Sequence, residues 1–192
     1  PLKRLLRKKS FIIFFQMRIN TFAIHSVTSK EYSSMENLSN RAIISRLYSS
    51  AEQRLEDTDF NSENWFEWYK AVQALTDPEK MVYVVVKLNQ KVTNGGFTEF
   101  YESSFGVFAP EIVHVLNEIK AGATADIVAS SMLVVHPKGL LDDEYKAFVF
   151  NIGLTEEQRS QLFTQDIRYD QLQDHENLED LMGGYLQQLI HS

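Results

Sequence analysis

Cysteine is absent from the 192 residues, which excludes disulfides, thiolate zinc sites and cysteine nucleophiles together. A reducing compartment fits that absence. The five histidines, His25, His114, His136, His175 and His191, form no close ligand pair and no His-Glu-x-x-His. His114 sits beside the apolar face of its own segment and reads as a packed or partly exposed core histidine. His175 lies among carboxylates in "DQLQDHENLED", but that run lacks the glycine and the oxygen spacing of a calcium loop. No Gly-x-Ser-x-Gly elbow, Gly-x-Gly-x-x-Gly loop or P-loop lysine occurs. No apolar run approaches the roughly 20 residues of a membrane-spanning helix, and no repeat or low-complexity tract emerges. The expectation is therefore a protein without a cofactor or metal, without a membrane span and without a recognisable catalytic constellation.

What is present is 44% hydrophobic residues, enough for one domain with its own core. The net charge of −7 is unevenly spread. Residues 1–34 hold seven basic residues (Lys3, Arg4, Arg7, Lys8, Lys9, Arg18 and Lys30) against Glu31, a balance of +6. From Met35 onward twelve basic face twenty-five acidic residues, a balance of −13. An acidic body of this strength argues against direct nucleic-acid binding and for a basic partner. The opening residues 1–34 read as a basic extension, disordered or non-native, ahead of a domain over 35–192. A degenerate secretory signal or a membrane-surface helix is the other reading, although Gln16 and Arg18 break the apolar "FIIFF" run.

Helical spacing dominates the rest and predicts an all-α fold. Ile43, Ile44, Leu47, Tyr48, Ala51 and Leu55 recur three and four apart, as one buried helix face requires. Ser62 is a cap candidate for a second helix whose Trp65, Trp68, Tyr69, Val72 and Leu75 face inward, both tryptophans as core anchors. Asp77-Pro78 opens a third, with Asp77 as cap and Pro78 at the first helical position. Ala109-Pro110 opens a fourth, facing inward through Ile112, Val113, Leu116 and Ile119 and stopped by Gly122. Thr124 caps a fifth that ends at His136-Pro137. Residues 141–152 carry a helical pattern up to Gly153. Thr155 and Gln158 have capping-box spacing before another helix, and a last one runs over 177–190. Gly183 and Gly184 inside that last pattern point to close packing against a neighbour.

The stretch "KVTNGGFTEFY", residues 91–101, admits two architectures. The β-branched "MVYVVVKLNQKV" before it would suit a strand, with Asn94-Gly95 as a hairpin turn. The Asp-Pro start favours a largely buried helix instead. Asn94, Gly95 and Gly96 then stop it through a left-handed glycine, and the next helix begins directly at Phe97 with Phe97, Phe100, Tyr101 and Ser104 on one side.

Acids are the remaining functional lead. Residues 122–192 hold twelve carboxylates against Lys138, Lys146, Arg159 and Arg168, a balance of −8. The candidate partner-binding face comprises Asp142, Asp143, Glu144, Glu156, Glu157, Asp166, Asp170, Asp174, Glu176, Glu179 and Asp180. Fixed carboxylates on helices offer a basic protein what a phosphate backbone offers. Adjacent acids at a helix start also have a purely local use as partners of the helix dipole. The competing class is an enzyme or small-ligand binder whose site lies around residues 94–101, with Glu99 as a base.

The run "NGGFTEFYESSFG" resembles the signature of the DNA mimic protein 19-like family. There Asn-Gly-Gly-Phe is followed by a Gln, two aromatics, Asn-Ser and a Gly. Asn94, Gly95, Gly96, Phe97, Phe100, Tyr101, Ser104 and Gly106 match, while Glu99 stands for the usual Gln and Ser103 for the usual Asn. The resemblance extends more loosely from the second helix to the closing residues and leaves out residues 1–34. It implies an all-helical domain; the expectation set beside it is a non-enzymatic, cytoplasmic protein. The family's best-known relative presents acidic side chains in place of DNA phosphates to a transcription factor, so a basic DNA-binding regulator is the expected partner here, with a homodimer as an open option. Asn94, Gly95, Gly96, Phe97, Phe100, Tyr101 and Gly106 are read as architectural: a helix stop and an aromatic anchor.

Overall fold

Segments whose apolar residues recur at helical spacing fold as helices throughout. The computed structural model describes residues 35, 37–56, 58, 65–136, 142–172 and 175–191, with the side chains of 142 and 143 outside the description. Among the described residues the order is α1 (Asn40–Leu55), α2 (Trp65–Gln73), α3 (Asp77–Glu102), a 3-10 turn (Phe105–Phe108), α4 (Ala109–Glu118), α5 (Gly122–Val135), α6 (Asp142–Phe150), α7 (Glu156–Leu172) and α8 (Leu178–Ile190), with no strand. The all-α expectation holds. Among these residues no helix is long and apolar enough to cross a membrane. The basic residues 1–34, Ser62, Pro137 and Asp174 lie outside the described residues.

The centre of the molecule is α3, which packs against α1, α4, α7 and the 3-10 turn. Its valine run is helical because burial is almost all round: Val82, Val84, Val85, Leu88 and Val92 are all inside. Its start lies one residue before the expected one. Thr76, not Asp77, is the cap, and Asp77 and Pro78 fill the first turn. Thr76 and Glu79 form a capping box: the Thr76 N–H and hydroxyl both donate to Glu79 Oε2, at 3.1 and 2.8 Å. Glu79 is only 3% exposed. Its other oxygen accepts from Ser50 Oγ at 2.7 Å and pairs with Arg54 Nε at 3.0 Å, both on α1. A local start signal thus doubles as the polar lock between α1 and α3.

Four other expectations shift. Gly122 does not stop α4; Lys120 takes the left-handed conformation (φ 67°), the Ala121 N–H closes on Leu116 O at 2.7 Å, and Gly122 already begins α5. Thr124 lies inside the first turn of α5 and does not cap it. Ser104 is beyond the end of α3 and left-handed (φ 65°). Trp65 is half-buried and stacks on Phe150 of α6 at 4.0 Å, whereas Trp68 is fully inside. The capping box of α7 forms as expected, with the Gln158 N–H donating to Thr155 Oγ1 at 3.2 Å and the Thr155 N–H to Gln158 Oε1 at 3.0 Å. Gly183 packs on Asn40 at the start of α1, so closely that a Cβ there would collide with it, while Gly184 faces open space.

Candidate functional site

The Gly95-Gly96 pair breaks α3 into two helical segments without a loop between them. Gly95 sits at φ −150°, ψ 18° and Gly96 at φ 71°, ψ −175°. The second value is an extended positive-φ conformation that essentially only glycine adopts, not the ordinary left-handed stop that glycine-ended helices use. The break leaves the Phe97 N–H without a helical partner, and Asp166 of α7 takes it at 2.7 Å. A Cβ on Gly96 would stand 2.8 Å from Asp166 Cγ. Burial pushes the Asp166 carboxyl above its usual range and Asp170 adds to this, while the Phe97 N–H opposes it.

Past the break the aromatics anchor the second segment. Phe97, Phe100 and Tyr101 are fully buried. Phe97 meets Phe100 and Tyr169 of α7 edge-on, with centroids 6.1 and 5.9 Å apart. The Tyr101 hydroxyl shares a hydrogen bond with Ser131 Oγ of α5 at 2.8 Å. Gly106 lies against the Tyr101 ring where any side chain would collide, and its carbonyl accepts from Tyr145 Oη at 2.7 Å. Glu99 pairs with Lys91 at 2.8 Å, and Ser103 Oγ donates to Phe100 O at 3.3 Å, so both departures from the motif have local partners. Asn94 is exposed, and its side chain makes no hydrogen bond among the described residues. Gly96, Phe97, Phe100, Tyr101 and Gly106 are thus tied into the packing of the joint, whereas Asn94 is not.

An open cleft of about 510 Å³ lies elsewhere, walled by Trp68, Tyr83 and Phe105 with Glu52 and Glu56 at its rim. Of the stretch from 94 to 106, Phe105 alone lines it. Glu52 is taken by Lys87 at 3.0 Å, and the same ammonium lies 5.4 and 5.5 Å from the Tyr83 and Tyr48 rings. Burial pushes Tyr83 up to about 12, leaving it a neutral hydroxyl. Glu52 and the Tyr83 ring are thus already engaged by Lys87, and among the described residues no nucleophile–base pair lines the cleft.

The expected acids separate into three groups. Asp166 and Glu176 have internal tasks. Glu176 Oε1 accepts from the Ala123 N–H at 3.1 Å, and Oε2 accepts from the Thr124 N–H at 2.7 Å and from its hydroxyl at 2.5 Å. This carboxylate caps α5, the office expected of Thr124. Glu144, Glu156, Glu157, Asp170, Glu179 and Asp180 are exposed. Among the described residues only Glu156 of these six has an ion-pair partner, Arg159 at 3.9 Å. The third group, the side chains of Asp142, Asp143 and Asp174, lies outside the description. The carrier helices have different neighbours: α6 packs on the 3-10 turn, α7 on α3 and α5, and α8 on α1. The acids therefore lie on separate helices; among the described side chains they come in pairs in the first turns of α7 (Glu156, Glu157) and α8 (Glu179, Asp180).

Composition and periodicity gave no warning of one half-buried carboxylate. Glu111 accepts from Gln73 Nε2 at 2.8 Å and Tyr69 Oη at 3.3 Å, while its other oxygen is buried without a hydrogen bond. Burial raises its pKa, with Lys80 and Lys146 opposing. Among the described residues no group of three or more His, Asp or Glu could hold a metal ion. A family model described as DMP19-like protein matches residues 73–189. No curated protein and no solved structure matches the chain.

Proposed function

The chain belongs to the DMP19-like protein family, and from that premise we propose that it is a non-enzymatic binding protein of the cytoplasm, with residues 35–192 as its functional domain. Its exposed carboxylates engage a basic protein on the surface by which that protein holds DNA. The observation that carries the reading is the state of Glu144, Glu157, Asp170, Glu179 and Asp180. They are exposed on ordered helices with no ion-pair partner among the described residues. Negative charge held at fixed positions in water steers a cationic surface and competes with phosphates for it.

The test is retention of basic DNA-binding proteins by the immobilised full chain over a salt series, against a variant carrying Glu157→Gln, Asp170→Asn, Glu179→Gln and Asp180→Asn. The expected result is capture by the native chain alone, lost steeply as salt rises and displaced by duplex DNA. Capture that survives in the neutralised variant, or that duplex DNA fails to displace, would remove the mimicry reading.

A further inference from the structure

Helix α7 presents more than charge. Only Leu162 and Tyr169 of its residues are buried, and it is held by contacts along one edge: Asp166 on the Phe97 N–H, and Arg159 on Glu102 Oε1 at 2.6 Å. Beside that edge run Glu156, Ser160, Phe163, Ile167 and Asp170, spaced four, three, four and three, which places them on one stripe of an α-helix. All five are exposed. Phe163 is 63% exposed and Ile167 44%. Single exposed apolar residues are ordinary, but here two stand one turn apart with a carboxylate at each end of the row.

We infer that the stripe Glu156–Ser160–Phe163–Ile167–Asp170 is the centre of the interaction surface, and that it receives a protein segment carrying an apolar side chain between basic ones, as on the face of a basic amphipathic helix. The inference rests on the acidic-binding reading above and adds what phosphate mimicry alone does not require. Apolar anchors at the centre supply contact energy, and charges at the rim supply register and attraction. Charge complementarity selects the occupant: a neutral apolar partner would leave Glu156 and Asp170 to lose water without compensation, and nucleic acid would be repelled. The clamps from Asp166 and Arg159 hold the stripe in place, so little ordering is needed on binding.

The probes are a fluorescent helical peptide of leucine and lysine in amphipathic register, and its counterpart with every leucine replaced by serine. Both are titrated against the full-length chain by anisotropy. The expected result is preference for the leucine peptide by roughly tenfold or more. Phe163→Gln with Ile167→Gln should abolish it, while Leu133→Gln, at an exposed position on α5 (51%), should leave it intact. Thermal unfolding checks that both variants keep the native fold. Preference unchanged in the Phe163/Ile167 variant overturns the inference. So does a variant that only converts a dimer to a monomer, which would assign the stripe to a second copy of this chain. Tight, salt-sensitive binding of both peptides without preference overturns the apolar centre but leaves the acidic reading standing. Failure of both peptides to bind at low salt overturns the acidic reading and the inference with it.

Discussion

Gly96→Ala strikes the joint of α3 directly. Two costs add at that position. The backbone at φ 71°, ψ −175° is one a residue with a Cβ reaches only at about 1–3 kcal/mol. The new methyl would also stand 2.8 Å from Asp166 Cγ, so the carboxylate must leave the Phe97 N–H, and a charge-assisted hydrogen bond is worth about 1.5–3 kcal/mol. The sum is about 2.5–6 kcal/mol, a large fraction of the roughly 5–15 kcal/mol that holds a domain folded. In urea unfolding followed by tryptophan fluorescence, with a slope of about 2 kcal/mol per molar, the midpoint should fall by about 2 M. Asp166→Ala alone should cost about 1–3 kcal/mol. Because the two single changes break the same hydrogen bond, the double variant should be less destabilised than their sum by about 1.5 kcal/mol. A Gly96→Ala protein within about 0.5 kcal/mol of native, or strict additivity in the cycle, would refute the reading of the motif as a joint closed by Asp166.

Glu176→Ala removes the side chain that accepts the Ala123 and Thr124 N–H groups. It should cost about 1–2 kcal/mol and accelerate hydrogen exchange at those two amides, and unchanged exchange would contradict the cap. Gly184→Ala, inside α8 with nothing near its Cβ, should raise stability by about 0.5–1 kcal/mol, whereas Gly183→Ala must displace Asn40 and should lower it. Glu111 has a raised pKa from burial. The folded state therefore binds the proton more readily than the unfolded chain, and its contribution to stability declines as pH rises from the ordinary glutamate value through the folded one. Glu111→Gln should flatten that slope and raise the urea midpoint at neutral pH; a lower midpoint would mean that the ionised carboxylate is favourably held.

What was legible in the sequence was the chemistry of neighbours. Glycine pairs, capping boxes and apolar spacing act within a few residues of one another, so the joint at Gly95-Gly96, the Thr155–Gln158 box and the inward face of α1 could be read directly. The valine run of α3 was ambiguous because a helix buried on nearly all sides loses the alternation that separates it from a strand. Its start signal decided the matter, though one residue off, since Thr76 competes with Asp77 and wins by pairing with Glu79. What was not legible was partnership across the chain. Phe97 finds Asp166 at a separation of 69 residues, and Thr124 finds Glu176 at 52. A signal for the need existed: helix starts at Phe97 and Gly122 have no capping side chain just before them, and orphan N–H groups must be met by something. Which acid meets them is a property of the packing.

That division changes what a charge-neutralisation experiment on this protein can mean. Asp166 and Glu176 belong to the same acidic count as Asp170 and Glu179, but the first two hold the second segment of α3 and the start of α5 in place. Neutralising them loosens the scaffold that carries the remaining acids. Lost binding in such a variant would follow equally from lost charge and from a displaced α7, and would therefore separate nothing. Asp170 and Glu157 on α7, and Glu179 and Asp180 on α8, can be neutralised without breaking any such tertiary contact among the described residues. Asp170, Glu179 and Asp180 have no side-chain partner there, and Glu157 has only Gln161 of its own helix. A loss of affinity confined to those positions, with the unfolding midpoint unmoved, is the result that only a charged docking surface produces. Because α7 is clamped through Asp166, the Gly96→Ala protein supplies the converse control: its surface charge is intact, so a loss of binding at a temperature where circular dichroism shows it still folded reports the position of α7.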